Sequence, residues 1–211
     1  MDDNYLIRNV HVTDIPYLCK ICLKTGFEGK DATSYYNDEF LLGLYYAAPY
    51  AFFSSKYSFV IEDKTSFSPK GYILGTEDTV NFKNKMNTYW LPQLRERCAV
   101  SVENKSEYEK SLKKMIYGEL NEAEEDFENN QIYKKYPSHF HIDLMPELQG
   151  KKLGHDLISH FIDNLKQNNI KGVHLGVDKN NERACKFYQK EGFEIIKKED
   201  YGFIMGMDLK Q

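Results

Sequence analysis

Long apolar segments are absent from this sequence. No run approaches the roughly 18 apolar residues that a membrane-spanning helix requires, and the first residues, Met1-Asp2-Asp3-Asn4, are acidic where a signal peptide would be basic. Because neither signal is present, we expect a cytoplasmic protein with no membrane partner.

Cysteine is also scarce. The four cysteines in 211 residues are too few for a disulfide framework. Cys19 and Cys22 form a C-x-x-C pair, but no second C-x-x-C or H-x-x-x-H completes a metal site, so we predict no metal. The pair shares a helical stripe with Leu18 and Leu23, which favours buried packing. The alternative, a thiol-redox function, would require exposed thiols of low pKa.

Neither sign of charge dominates the chain. Lys and Arg number 28 against 32 for Asp and Glu, so the net charge of −4 gives no reason to expect a nucleic-acid partner. The hydrophobic share of 41% in 211 residues suffices for a large core. We predict a single domain over residues 1–211, of mixed α/β (α+β) class.

The stretch from Ser138 to Phe193 carries the most informative pattern. Apolar and polar residues alternate from His139 to Leu144, which predicts a strand, and a helix follows whose apolar residues lie at helical spacing. A second strand from Gly172 to Val177 precedes a short helix that Asn181 caps and Gly192 ends. The order is strand, helix, strand, helix.

The other segments surround this unit. We predict a helix after Thr13 or Asp14, a helix from Asp38 to Tyr46 that Pro49 ends, and strands at 5–12, 59–63, 71–75 and 203–209. The long segment at about 79–135 must contain helices, since such loops need structure of their own. Its acidic residues from Glu119 to Glu128 form either a solvated helix face or a surface that receives a basic substrate.

The turn after the first strand of the unit suits an anion. Backbone N–H groups at a helix start lack internal partners and the helix dipole is positive there, so Gly150 to His155 can surround a pyrophosphate. Glycine permits the close approach that a side chain would block.

These residues resemble the GNAT superfamily of acyl-CoA N-acyltransferases. Gln149 and Gly154 match its first motif, in which Lys152 replaces the inner glycine. The segment ending at Phe193 is similar to the second motif, with matches at Asn181, Ala184, Tyr188, Gly192 and Phe193. The resemblance implies the GNAT fold, a mixed sheet of six or seven strands flanked by about four helices, with a helical insertion before the central strand.

The resemblance also implies acetyl-CoA as co-substrate. In this fold the two strands of the unit diverge, the pantetheine lies between them, and the Leu144 N–H stabilises the thioester oxygen. The implied contacts follow the strand end, the turn and the start of the second helix: Leu144, Met145, Gln149, Gly150, Lys151, Lys152, Leu153, Gly154, His155, Asn181 and Ala184.

One branch is a closer likeness, namely the acetyltransferase-like domain of protein O-GlcNAcases and its free-standing bacterial relatives. The similarity lies in Tyr45–Tyr50, Gly71–Gly75, Trp90–Arg95 and His141–Pro146.

Acyl transfer to an amine needs a base for the nitrogen, a donor for the carbonyl oxygen and an acid for the thiolate. Tyr188 stands where the family's thiolate-protonating tyrosine stands. Asp143 is the first candidate base, because a half-buried carboxylate has a raised pKa. His141 on the same strand face is the second, and Glu62 or Asp63 the third.

We therefore predict an acetyl-CoA-dependent N-acyltransferase that acts on a primary amine by direct attack. The alternative is a catalytically weak or inactive module that binds acetyl-CoA or a partner. A small amine, an amino sugar and a protein lysine all fit as acceptor, and both a monomer and a homodimer are compatible with the sequence.

Overall fold

The computed structural model describes residues 4–100, 103–118, 130–200 and 202–209. Its centre is a seven-stranded sheet in the order β1-β2-β3-β4-β5-β7-β6. The strands are β1 (Tyr5–Asn9), β2 (Ser58–Asp63), β3 (Ser68–Thr76), β4 (Ser138–Leu144), β5 (Gly172–Asp178), β6 (Glu194–Lys198) and β7 (Gly202–Asp208). Neighbouring strands are antiparallel, apart from the parallel pair β4 and β5. The predicted mixed sheet is confirmed, with seven strands.

Helices cover both faces of the sheet. The described residues contain α1 (Ile15–Thr25), α2 (Leu41–Tyr46), α3 (Ala48–Phe53), α4 (Thr79–Lys85), α5 (Leu91–Ala99), α6 (Glu107–Tyr117), α7 (Gln131–Lys135), α8 (Leu153–Gln167) and α9 (Glu182–Lys190). These are more helices than the expected number of about four. Pro49 explains one of the extra helices: it lies in the first turn of α3, where its missing N–H costs nothing, instead of ending the helix before it.

The predicted helical insertion before the central strand is confirmed. Between β3 and β4 the described residues form α4 to α7, and a π-helical turn (Met86–Trp90) joins α4 to α5. Leu112 and Ile116 of α6 are buried, as their spacing predicts. The predictions for the acidic residues from Glu119 to Glu128 lie outside the described residues.

Two hydrophobic clusters form, one on each face of the sheet. Tyr72 and Leu74 of β3 pack in the cluster that contains α1 and α2, whereas Ile73 between them packs in the cluster that contains α8. This period of two is the alternation expected of a strand covered on both faces.

Cys22 packs inside the first cluster and Cys19 is buried on the same helix, with exposed fractions of 4% and 1%. Burial raises the pKa of the Cys19 thiol to about 12 and that of Cys22 well above its ordinary value. Both thiols therefore stay protonated, so the packing interpretation of the C-x-x-C pair is correct. In the described part of the chain, no helix combines the length and apolar character needed to cross a membrane.

Candidate active site

A gap opens in the middle of the sheet. The parallel strands β4 and β5 pair only at Ser138–Val173 and His139–His174, while β4 stays paired with β3 as far as Leu144 and β5 stays paired with β7 along its length. Beyond His139 the two central strands therefore diverge, as the family resemblance implies.

The backbone of β4 presents polar groups to this gap. The Met145 N–H donates to the Lys70 carbonyl at 2.9 Å, which fixes the direction of the alternating strand groups. Asp143 therefore points its N–H and C=O toward β3, and Leu144 points its own toward the gap. The Leu144 N–H is thus available as a donor, whereas the Met145 N–H already has its acceptor.

The turn between β4 and α8 presents a run of unpaired backbone donors. Gln149 donates its N–H to Pro146 and Asp156 donates its N–H to Lys152. Among the described residues, no acceptor meets the N–H groups from Gly150 to His155 that lie between them. Together with the positive end of the 15-residue helix α8, these N–H groups form a candidate anion-binding site.

Left-handed backbone explains the glycine pattern of the turn. Gly150 has φ 77° and Lys152 has φ 64°, so Lys152 occupies a conformation that favours glycine. Gly154 permits close packing, because a Cβ there would lie 3.3 Å from the Phe187 ring and 3.4 Å from Leu144 Cδ1, so these side chains would have to shift by a few tenths of an ångström. Its lack of a side chain brings α8 close to α9, in addition to the anion approach that the sequence suggested.

Hydrogen bonds tie the turn to its surroundings. The Gln149 amide donates to the Leu144 carbonyl at 3.1 Å and accepts from Arg183 at 3.0 Å. His155 Nδ1 lies 2.8 Å from a carboxylate oxygen of Glu191, just beyond the end of α9. Asn181 caps α9 as predicted, since its side chain accepts from the Ala184 N–H at 3.1 Å. Gln149 therefore links the end of β4 to the start of α9.

Asp143 lies on the opposite face of β4 from Leu144. Tyr72 on the neighbouring strand donates its hydroxyl to Asp143 Oδ2 at 2.6 Å. Burial raises the pKa of Asp143 to about 6, against the lowering effect of the hydrogen bond from Tyr72. This carboxylate is thus ionised at neutral pH and has a pKa suited to accepting a proton.

A cavity of about 260 Å³ opens beside Asp143. Its polar lining consists of Asp143, His141 and the tyrosines Tyr36, Tyr46 and Tyr72. The remaining lining residues are Cys22, Gly26 and Leu42. His141 shares the face of Asp143, as strand alternation predicts, and keeps an exposed surface at the cavity. The rings of Tyr46 and Tyr50 lie 5.8 Å from its own, and desolvation lowers its pKa, so the imidazole is neutral.

Tyr188 lies on the other face of the sheet from Asp143. Its ring packs against Phe140 and Phe193, with centroids 6.1 Å and 6.0 Å away. Burial, and to a lesser degree the charge of Asp143, raises the pKa of the Tyr188 phenol. Within the described residues its hydroxyl has no hydrogen-bond partner. The two candidate catalytic groups thus lie on opposite faces of the sheet and are electrostatically coupled.

Glu62 and Asp63 lie elsewhere. The Glu62 carboxylate forms an ion pair with Arg8 at 2.6 Å, and Arg8 also binds Asp14. Asp63 accepts N–H bonds from Thr65 and Ser66 in the turn that follows β2. Neither residue lines the cavity, so Asp143 and His141 remain as candidate bases.

His139 has a structural role that its place in the strand did not predict. Its Nδ1 lies 2.8 Å from the Thr79 hydroxyl, which donates to the Pro137 carbonyl, and its Nε2 lies 2.6 Å from the Tyr50 hydroxyl. Because Thr79 uses its only proton on Pro137, His139 must carry the Nδ1 proton and Tyr50 must donate to Nε2. Burial lowers the pKa of His139, so this chain holds a neutral ring.

The sequence did not single out the tyrosines of the cavity as functional. Tyr72 was identified as a strand residue and Tyr46 as a helix residue, while Tyr36 lay in an unassigned loop. Their only shared signal was the high tyrosine count of 16. These residues come from segments far apart in the chain, and only the tertiary fold brings them to one cavity.

Comparison with known proteins points to the same part of the molecule as the geometry of the site. Residues 124–193 match the model of the Acetyltransferase (GNAT) family. The matched range includes β4, the turn, α8, β5 and α9, and hence the gap, the unpaired donors and Tyr188.

Solved structures resemble the whole chain. SsHAT is 26% identical with a TM-score of 0.83, over 99% of this chain and 100% of that one. The PaiA N-acetyltransferase of Thermoplasma acidophilum, solved with coenzyme A, is 14% identical with a TM-score of 0.55, over 97% and 98% of the two chains. YncA from Salmonella typhimurium, solved with its cofactor acetyl-CoA, is 14% identical with a TM-score of 0.56, over 99% and 96%. The chain has the GNAT fold.

Proposed function

We propose that this protein is an acetyl-CoA-dependent N-acyltransferase that transfers an acetyl group to a primary amine. The divergence of β4 and β5 carries the proposal, because the gap lies along the end of β4, the strand that bears Asp143 at the cavity and leads into the turn with the free N–H groups. A thioester substrate needs such an opening, with a phosphate site at one end and an amine site at the other.

The residues present suit acetyl-CoA. The free N–H groups from Gly150 to His155 would hold the pyrophosphate, with Lys151, Lys152 and Arg183 supplying positive charge nearby. The gap-facing backbone of Leu144 would bind the pantetheine arm. The bound molecule supplies an acetyl group activated as a thioester. Met145, Asn181 and Ala184 remain proposed contacts, Asn181 in addition to its capping role.

The reaction forms a carbon–nitrogen bond and breaks a carbon–sulfur bond. The amine enters the cavity as an ammonium and loses one proton to solvent, its neutral nitrogen then attacks the thioester carbonyl, and Asp143 takes the second proton that the nitrogen loses. The Leu144 N–H stabilises the negative charge that develops on the carbonyl oxygen. Tyr188, whose raised pKa keeps it protonated, donates its phenolic proton to the departing sulfur. The products are an amide and the free thiol.

Asp143 is preferred over His141 as base because its carboxylate is ionised above a pKa of about 6 and is held at the cavity by the hydroxyl of Tyr72, whereas the His141 side chain is exposed. His141 accordingly contributes a neutral hydrogen-bonding group to the cavity wall.

The alternative is a module that binds acetyl-CoA without turnover, and its basis is the departure from the family motif at Lys152. Lys152 replaces the inner glycine of the motif in a left-handed conformation, which has an energetic cost. Two assays distinguish the enzyme from the binding module. Release of CoA thiol that depends on an added amine supports the enzyme, whereas a rise in melting temperature with acetyl-CoA and no thiol release supports the module.

A variant at the anion site tests the cofactor assignment. Gly154→Glu places a carboxylate at the start of α8 and against Phe187, so the rise in melting temperature with acetyl-CoA should disappear. Gln167→Glu adds the same charge at the exposed far end of α8 and should keep the full rise. If the wild-type protein shows neither a thermal shift with millimolar acetyl-CoA nor thiol release, the proposed function is wrong.

A further inference from the structure

The cavity beside Asp143 has an unusual balance of charge. Asp143 is its one acidic lining residue, and no lysine or arginine occurs among the described residues that line it. A ligand can therefore place one cationic group against a carboxylate here, but an anionic group on the same ligand would meet no opposite charge.

The uncharged lining is mainly aromatic. Tyr36, Tyr46 and Tyr72 contribute three phenol rings, and His141 adds a neutral imidazole whose ring meets that of Tyr46 edge to face at 5.8 Å. Such walls suit an aromatic or other apolar body, and they attract a cation over a ring face. The Tyr36 hydroxyl, which has no hydrogen-bond partner among the described residues, offers an additional polar contact.

The size of the cavity limits the ligand. About 260 Å³ lies slightly below the range of roughly 300–1,000 Å³ that is typical of drug-sized ligands, so the space accommodates a compact molecule. Its wall at Tyr36 is held firmly. On the two sides of Tyr36, the Tyr35 carbonyl accepts from Ser106 at 2.7 Å, and the Asn37 N–H donates to Glu109 at 3.3 Å.

We propose that the acceptor is a small primary amine with a single positive charge, an aromatic or similarly apolar body and no carboxylate. This inference rests on the proposed acyl transfer and narrows its acceptor to one chemical class. Amino acids are disfavoured because their carboxylate would lie unpaired near Asp143. Polyamines are disfavoured because the cavity offers one carboxylate to several cations, and peptide lysines because their flexible alkyl chain makes little use of the aromatic walls.

The test is a comparison of initial rates of thiol release with saturating acetyl-CoA. The probes are 2-phenylethylamine, phenylalanine, spermidine, glucosamine and a lysine-containing peptide with blocked ends. We expect kcat/KM to be highest for 2-phenylethylamine. Phenylalanine has the same body plus a carboxylate, and its kcat/KM should be lower by about 100-fold or more, the effect of an unpaired buried charge.

A variant pair locates the effect in the cavity. Tyr46→Ala removes one aromatic wall and should raise the KM for 2-phenylethylamine by about 10-fold, without changing the thermal shift with acetyl-CoA. Tyr89→Ala removes a tyrosine that is 63% exposed and does not line the cavity, and it should leave KM unchanged.

The outcomes distinguish this inference from the proposed function. A higher kcat/KM for spermidine, glucosamine, phenylalanine or the peptide would overturn the inferred acceptor class and leave acyl transfer to amines standing. An unchanged KM in Tyr46→Ala would also overturn it. Thiol release with none of the amines, despite a thermal shift with acetyl-CoA, would overturn the proposed function together with the inference.

Discussion

The two sides of the candidate site are built in different ways. The side assigned to acetyl-CoA consists mainly of backbone groups from one short stretch of chain, the gap-facing groups of Leu144 and the free N–H groups from Gly150 to His155. The acceptor side consists of side chains from α1, α2, the loop between them, β3 and β4. A backbone site tolerates side-chain changes such as Lys152, whereas a side-chain site changes its specificity with single substitutions.

The acceptor side also depends on a helix that does not line it. Glu109 of α6 is fully buried and accepts N–H bonds from Lys105 at 2.7 Å and Asn37 at 3.3 Å. Its other oxygen lies 3.6 Å from Lys113 Nζ. These contacts hold the loop that carries Tyr36, so the insertion determines the shape of the cavity from a distance.

The largest effect is therefore expected from Glu109→Ala. It leaves two N–H groups and a nearly buried ammonium without partners, which should lower the free energy of unfolding by about 3–5 kcal/mol. Glu107→Ala removes a carboxylate on the same helix whose side chain is 84% exposed, and it should change stability little. Urea denaturation measures both, and equal effects would show that the buried contacts add no stability.

The next effect concerns the cofactor side. Tyr188→Phe keeps the packed ring and removes only the proton donor, so kcat should fall by about 100-fold while acetyl-CoA affinity is unchanged. Tyr89→Phe, a change at an exposed ring outside both sides of the site, should have no effect. Full turnover in Tyr188→Phe would assign the thiolate proton to another donor.

Asp143→Asn should separate activity from stability. The folded-state pKa of about 6 lies above the ordinary 3.8, so ionising Asp143 costs stability as pH rises through about 6. The variant keeps an acceptor for Tyr72 without that charge. It should be more stable than wild type at pH 8, by on the order of 1–3 kcal/mol, and equally stable below pH 4.

The same group controls the pH profile of the wild type. Its kcat/KM should decline as pH falls below about 6, and Asp143→Asn should lack that step in any residual activity. Thermal unfolding at pH 8 and below pH 4 measures the stability difference. Initial rates from pH 5 to 8 measure the activity profile. If Asp143→Asn is less stable than the wild type at pH 8, the buried charge does not lower the stability of the folded protein.

The smallest effect lies in the turn. Lys152→Gly relieves a left-handed lysine and should stabilise the protein by up to about 1 kcal/mol, with acetyl-CoA binding retained. Lys151→Gly, at a neighbour without positive φ, should be neutral or destabilising. If Lys152→Gly abolishes the thermal shift with acetyl-CoA and Lys151→Gly does not, the lysine side chain binds phosphate and the cofactor site is not purely a backbone site.

The difference between the backbone site and the side-chain site also explains which parts of the molecule could be predicted from the sequence. The strand, turn and helices from Ser138 to Phe193 were predictable because their patterns are local: the period of two in β4, the cap at Asn181 and the glycine at 192. The likeness to O-GlcNAcase domains and the cofactor contacts stay predictions.

The acceptor side was less predictable because its residues meet only through tertiary contacts. Alternation in β4 gave the correct faces, but a polar residue in a strand can face either water or a buried polar group. His139 faces Tyr50 and Thr79, and Asp143 faces Tyr72. No local pattern distinguishes these two environments.

The divergence of β4 from β5 creates a strand edge inside a continuous sheet. Amide deuterium exchange should reveal it residue by residue in the protein without substrates. Along β4 the His141 and Asp143 amides are bonded to β3 and should exchange slowly, whereas the Ile142 and Leu144 amides face the gap and should exchange quickly. Protection with a period of two along one central strand is the pattern of an edge strand, here enclosed by neighbours on both sides.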